Sequence, residues 1–221
     1  MSTQGFTDAS SFGFSLAATG IENAAALQQA VDRAGTIIVS QPGTYKVAAP
    51  IYVGSHTHLT FGKGVFLKKV DEQGLFAQVL INRGALTKVH DENITVEGLH
   101  IIVNGIDNCS DMVLGLRGLV GMSYVKELRI KGYRCYDLTG AQYAMQISRF
   151  EDVIIEDVII KGQKDGIHFG PGKRFTIRDG VFQTFDDAIA LNGQDYSTSN
   201  PELGWIEDGV IENCYDLNQE T

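Results

Sequence analysis

The chain has 221 residues, 43% of them apolar, and a formal charge of −9. That is enough apolar material for one large core or two small ones, and no run approaches the roughly 18–20 apolar residues of a membrane span. The negative balance argues against a nucleic-acid surface, which needs clustered basic groups, but an acidic sugar needs only one or two local cations.

The first residues, Met1-Ser-Thr-Gln-Gly-Phe6, lack the charged and apolar regions of a signal peptide. A helix follows. Thr19-Gly-Ile-Glu22 has the spacing of a capping box and leads into Asn23–Asp32, where Leu27, Ala30, Val31 and Ala34 share one helical face. Gly35 is the expected stop. After it the texture changes to short β-branched runs separated by turn residues: Thr36–Val39, His58–Phe61, Asn93–Val96, Glu127–Ile130, Val153–Ile155, Phe175–Ile177 and, more weakly, Trp205-Ile206. Several are followed by one kind of turn: Glu97-Gly98, Lys131-Gly132, Glu156-Asp157, Arg178-Asp179 and Glu207-Asp208.

Anchored on residues 38, 61, 96, 130, 155, 177 and 206, the runs recur in steps of 23, 35, 34, 25, 22 and 29. A repeat of that length with one supersecondary unit per step signals a solenoid. Each unit reads as strand, turn, strand, turn without a second helix, which predicts an all-β, right-handed parallel β-helix. A sandwich would place its strands every 8–12 residues or so, without a long superperiod. The whole chain, 1–221, reads as a single β-helix domain: 1–35 form an N-terminal segment and cap helix, 36–221 the coils. No second cap is visible, so an incomplete C-terminal end is expected. Cys109, Cys135 and Cys214 are odd in number and far apart, which suggests buried thiols and not a disulfide framework or zinc site.

The second strand of each coil aligns without gaps. Tyr143–Ile147, Asp165–Phe169 and Asp187–Leu191 are spaced by 22 and 22 residues. Equal positions in neighbouring coils stack about 4.8 Å apart, so Met145/Ile167/Ile189 and Ile147/Phe169/Leu191 form inward columns. Gln146/His168/Ala190 and Gln142/Lys164/Asp186 form outward ones. Strict alternation would bury Asp165 and Asp187 side by side, at prohibitive cost. The chain must therefore bend before each apolar triplet, which gathers Asp165, Asp186 and Asp187 on the outer wall.

These residues resemble the polygalacturonase family of glycoside hydrolases, within the pectin-lyase-like β-helix group. That family carries an Asn-Thr-Asp motif and, one coil later, a Gly-Asp-Asp motif. Gln163-Lys-Asp165 matches the first at its Asp, and Phe185-Asp-Asp187 matches the second at both Asp residues. The cap helix, Pro42-Gly-Thr-Tyr45 and Ile51-Tyr-Val53 are also similar to that group. Two later family motifs, Gly-His-Gly and Arg-Ile-Lys, have no counterpart in the chain. The resemblance implies an inverting glycosidase on a pectin-like or other acidic poly- or oligosaccharide, without cofactor, metal, nucleic acid or membrane, and a secreted or periplasmic location. Asp186 would be the general acid, with Asp165 and Asp187 holding the water, across a gap of roughly 6.5–9.5 Å. Lys164, His168 and Gln146 are the expected substrate-binding residues. Two other readings stand beside this one. One is a lyase in which the acids hold Ca²⁺ and Arg149 or Lys164 abstracts a proton. The other is a non-catalytic glycan-binding or tailspike-like spindle.

Overall fold

The computed structural model describes residues 5–106, 115–194, 200 and 202–218. Asp107, Cys109, Asp111 and Tyr196 lie outside them. The strands pair in parallel throughout, in one sheet that closes on itself as a parallel β-helix. A winding has three walls, one more than the expected two strands. The first wall begins with Gly35–Val39, Thr57–Phe61 and Asp91–Glu97. The second begins with Gly43–Val47, Val65–Lys69, His100–Ile102 and Arg134–Leu138. The third contains Ile51–Val53, Leu80–Asn82, Ile167–Phe169 and Ile189–Leu191. In later windings, continuous strands run round the corners: Gly118–Lys131, Tyr143–Gly162, Gly172–Thr184 and Ile206–Asp216.

Corners are single residues in left-handed backbone. One corner column is Gly98, Gly132, Asp157, Asp179 and Asn213, with φ between 50° and 70°. Gly and, less readily, Asp and Asn adopt that conformation, which is why these types recur. The expected fifth member, Asp208, belongs instead to a second column with Asn93, Glu127, Asp152 and Arg174.

Inside the tube, Ile37, Leu59, Val96, Ile130, Ile155 and Ile177 stack in one column and are almost wholly buried. Burying each contributes about 1.5–3 kcal/mol. The central anchors match the sequence reading. At the ends, Ile38, Phe61 and Ile206 give way to Ile37, Leu59 and Ile211: the first two runs carry more than one apolar residue, and the last winding is longer. Helix α1, Gly20–Val31, has the full capping box at Thr19 and Glu22. It ends at Val31, ahead of Gly35, and leaves Ala34 exposed. Cys135 is buried and Cys214 half-buried, and among the described residues neither is in a disulfide.

Outside the first wall run two charge columns that the hydrophobic pattern did not disclose. Glu92, Lys126, Glu151, Lys173 and Glu207 stand in register, as do Glu97, Lys131, Glu156, Arg178 and Glu212. Sign alternates at every rung. Lys126 and Lys173 flank Glu151 at 3.3 and 3.6 Å, and Lys131 reaches Glu156 at 3.8 Å. Opposite charges in facing positions favour the pairing, and a register slip would place unlike neighbours out of reach. Hydrogen bonds from Arg129 and then Arg178 hold the Glu156 carboxyl below its ordinary range. Glu156→Ala is expected to cost about 1–3 kcal/mol near neutral pH, in urea titrations. Because a depressed pKa contributes stability only above the ordinary glutamate range, the deficit should close as the pH falls through and below it.

Candidate active site

Two bends in successive windings build the site. Lys164 and Asp165 lie between strand Tyr143–Gly162 and strand Ile167–Phe169; Asp186 and Asp187 lie between Gly172–Thr184 and Ile189–Leu191. Backbone bonds hold the bends one above the other. Gly166 N donates to Asp187 O at 2.9 Å, and Phe185 N donates to Gly162 O at 3.1 Å. Gly166 is required by closeness: a Cβ there would lie 2.6 Å from the carbonyl oxygen of Ala188. The Asp-Gly pair therefore places a carboxylate where two windings touch.

One oxygen from each of Asp165, Asp186 and Asp187 lies within 4.8 Å of the others. They open on a cleft of about 170 Å³, lined also by Arg117, Tyr143, Lys164 and Asn192. Oxygens so close can all reach a single water at hydrogen-bond length, about 2.8 Å. The closest approach is tighter than the gap expected for a separated acid and base. Lys164 Nζ lies 2.8 Å from Asp186 Oδ2, so an ammonium already supplies positive charge at this edge of the cluster.

The three acids differ in surroundings. Asp186 and Asp187 are exposed, whereas Asp165 is 5% exposed, contrary to its expected place on the open wall. Asp165 Oδ2 pairs with His168 Nδ1 at 2.7 Å, which offsets the cost of its burial. Partial burial, then the charges of Asp165 and Asp186, push the Asp187 carboxyl up, with His168 acting in the opposite sense. A raised carboxyl pKa costs stability above it. Asp187→Asn should therefore be more stable than the parent chain near neutral pH and no more stable in acid, in paired denaturant titrations.

His168 and Gln146 require a correction. Alternation does turn them away from Ile167, Phe169 and Met145, but both are wholly buried and not solvent-facing. Tyr143 stacks flat on the imidazole with centroids 4.5 Å apart, and Gln146 Oε1 accepts the backbone N–H of Arg117 at 2.6 Å. A second layer covers the wall here, so neither residue contacts a glycan as they stand. Gln142 is buried as well, bonding to Ala77 and Arg117 carbonyls. Arg149 is not in the cleft; it pairs with Glu202. Trp205 is 74% exposed beside a different hollow, together with Leu191 and Ile211. Arg117 is a cleft residue that pattern reading missed. It stands directly ahead of Gly118, at the position in register with Gln142 and Lys164. His168→Phe would keep the ring and remove the Asp165 partner. We expect a loss of about 1–3 kcal/mol in urea titrations, with Tyr143→Leu losing less.

No protein-family model and no curated protein sequence matches the chain. Solved structures do. A family 28 exopolygalacturonase from Yersinia enterocolitica superposes with a TM-score of 0.71 at 15% identity, over 96% of this chain and 49% of that one. A candidate glycosyl hydrolase from Parabacteroides merdae gives 0.65 at 14%, over 94% and 98%. A surface adhesin of Streptococcus pneumoniae gives 0.65 at 16%, over 94% and 56%. The chain thus spans about half the length of the exopolygalacturonase and of the adhesin. The fold is that of the polygalacturonase-like parallel β-helix proteins.

Proposed function

We propose that the protein is a carbohydrate-active enzyme, a glycoside hydrolase cleaving an acidic, pectin-like polysaccharide. The observation that carries this reading is the meeting of Asp165, Asp186 and Asp187 in one cleft with two cations, Arg117 and Lys164. Glycoside hydrolysis needs a proton for the leaving oxygen and a carboxylate to act on the other reactant. Three acids of unequal burial supply both. Arg117 suits a uronate carboxylate, since a guanidinium offers a planar fork to it.

Two routes are open to such a cluster. In a retaining enzyme one carboxylate attacks the sugar, and the separation of about 5–5.5 Å typical of that class is the nearer match to this compact trio. A nucleophile must, however, reach the anomeric carbon itself. Asp165 is roofed and bound to His168, and Asp186 is engaged by Lys164. A water held between carboxylates has no such obstacle, which favours attack by water and inversion.

Incubation with polygalacturonate should release reducing ends without the ultraviolet absorbance of an unsaturated uronate, and addition of a calcium chelator should leave the rate unchanged. Asp165→Asn and Asp187→Asn should each lower the rate by about 10²–10⁴-fold. Arg117→Ala should act mainly on KM, by about tenfold, and less on a neutral glycan. Unsaturated products with Ca²⁺ dependence would make the protein a lyase. Glycan binding without product would place it with non-catalytic spindles.

A further inference from the structure

We propose that Asp187, and not Asp186, is the proton donor, with Asp186 and Lys164 forming an ionised pair that serves the attacking water. This deepens the hydrolase reading and rests on it. The motif alone points the other way, because the resemblance assigns the donor role to the first acid of Phe185-Asp-Asp187. Here, however, residue 164 is a lysine one rung from Asp186. The register Gly162↔Thr184 brings the two bends together, and Lys164 Nζ closes to 2.8 Å from Asp186 Oδ2. Asp186 Oδ1 accepts the backbone N–H of Asp187 at 3.2 Å. Both oxygens of Asp186 thus accept a donor, one of them an ammonium, an arrangement that suits a base.

Asp187 has the reverse surroundings. Among the described residues no lysine or arginine forms an ion pair with it. Oxygens of Asp165 and Asp186 lie within 4.8 Å of one of its own. Of the nearby positive or titratable groups, Lys164 pairs with Asp186, Tyr143 stacks on His168, and His168, paired with Asp165, acts against the upward push on Asp187. Arg117 lines the same cleft, where it suits the substrate's anionic group. Of three clustered carboxyls, the one without a basic side chain paired to it keeps a proton longest.

The step balances without another reactant. The Asp187 proton passes to the glycosidic oxygen as its bond to the anomeric carbon breaks. Water forms the new bond to that carbon, and its proton passes to Asp186. Proton exchange with solvent then restores both acids.

Two measurements test the assignment. The first needs no turnover. With ¹³C-carboxyl aspartate labelling, and Asp186→Asn and Asp187→Asn to assign the signals, Asp187 should be the member of the trio still protonated at the highest pH. If Asp186 is the last to ionise with Lys164 present, the proposal is wrong. The second compares polygalacturonate with a nitrophenyl galacturonide, whose leaving group needs little protonation. Asp187→Asn should lose about 10²–10⁴-fold on the polymer and about tenfold or less on the aryl substrate. Asp186→Asn should lose similarly on both, and the opposite pattern would overturn the proposal. Lys164→Gln should move the acidic limb of the kcat/KM profile to higher pH, whereas Lys164→Arg should restore it. A parent chain that hydrolyses neither substrate refutes the hydrolase reading, and the labelling result still decides the charge assignment.

Discussion

Register between successive windings is the constraint on which the molecule depends. A parallel rung stacks each side chain on its equivalent one coil away, so a single choice of register fixes the core, corners, surface charges and acid cluster together. Inside, the column through Ile155 and Ile177 is apolar and permissive: many slips would still place one branched residue on another. Discrimination comes from elsewhere. A slip would bring residues with less tolerance for left-handed backbone to the corners now held by Asp157 and Asp179. The alternating charges through Glu151 and Glu156 would be mismatched by a slip along the strand. Geometry at the corners and electrostatics on the surface thus specify what core packing alone would tolerate.

The same stacking explains how a repetitive fold makes a non-repetitive site. Bends at 163–166 and 185–188 are equivalent in backbone, and each presents an acid ahead of an apolar triplet. Difference arises from a few side chains at each level. The lower bend has Lys164 and, three residues on from Asp165, His168; the upper has the extra acid Asp186. Asp165 is covered and paired with imidazole, Asp186 is paired with an ammonium, and Asp187 has both of these acids close by. Three copies of one residue type acquire three electrostatic settings, which general acid–base chemistry requires.

Much of this was legible in the sequence, and the limits have physical causes. The 22-residue spacing from Tyr143 to Asp187 correctly gave the pairs Met145↔Ile167 and Ile167↔Ile189, because those coils carry no insertions. Phase drifted at Ile206, where a longer winding intervenes, and at Ile38, where three adjacent apolar residues offer rival anchors. The second wall escaped because strands such as His100–Ile102 are too short to show periodicity. Alternation placed His168 and Gln146 on the outer side of the wall but could not reveal that Tyr143 and the segment before Gly118 cover it. Periodicity reports which way a side chain points and says nothing of what is packed over it. Arg117 was hidden for the same reason.

Register can be measured directly just ahead of the two acid-bearing bends. Lys161 and Gln183 face each other across adjacent windings, and both are exposed. Cysteines at both positions should close a disulfide, whose Cα separation limit is about 7 Å, whereas a pair at Lys161 and Phe185, displaced diagonally by two residues, lies near or beyond that reach. Oxidation followed by peptide mass mapping should therefore find the cross-link in Lys161→Cys/Gln183→Cys and little in Lys161→Cys/Phe185→Cys. Cross-linking confined to the diagonal pair would mean that the windings are offset, and that Asp165 does not meet Asp186 and Asp187.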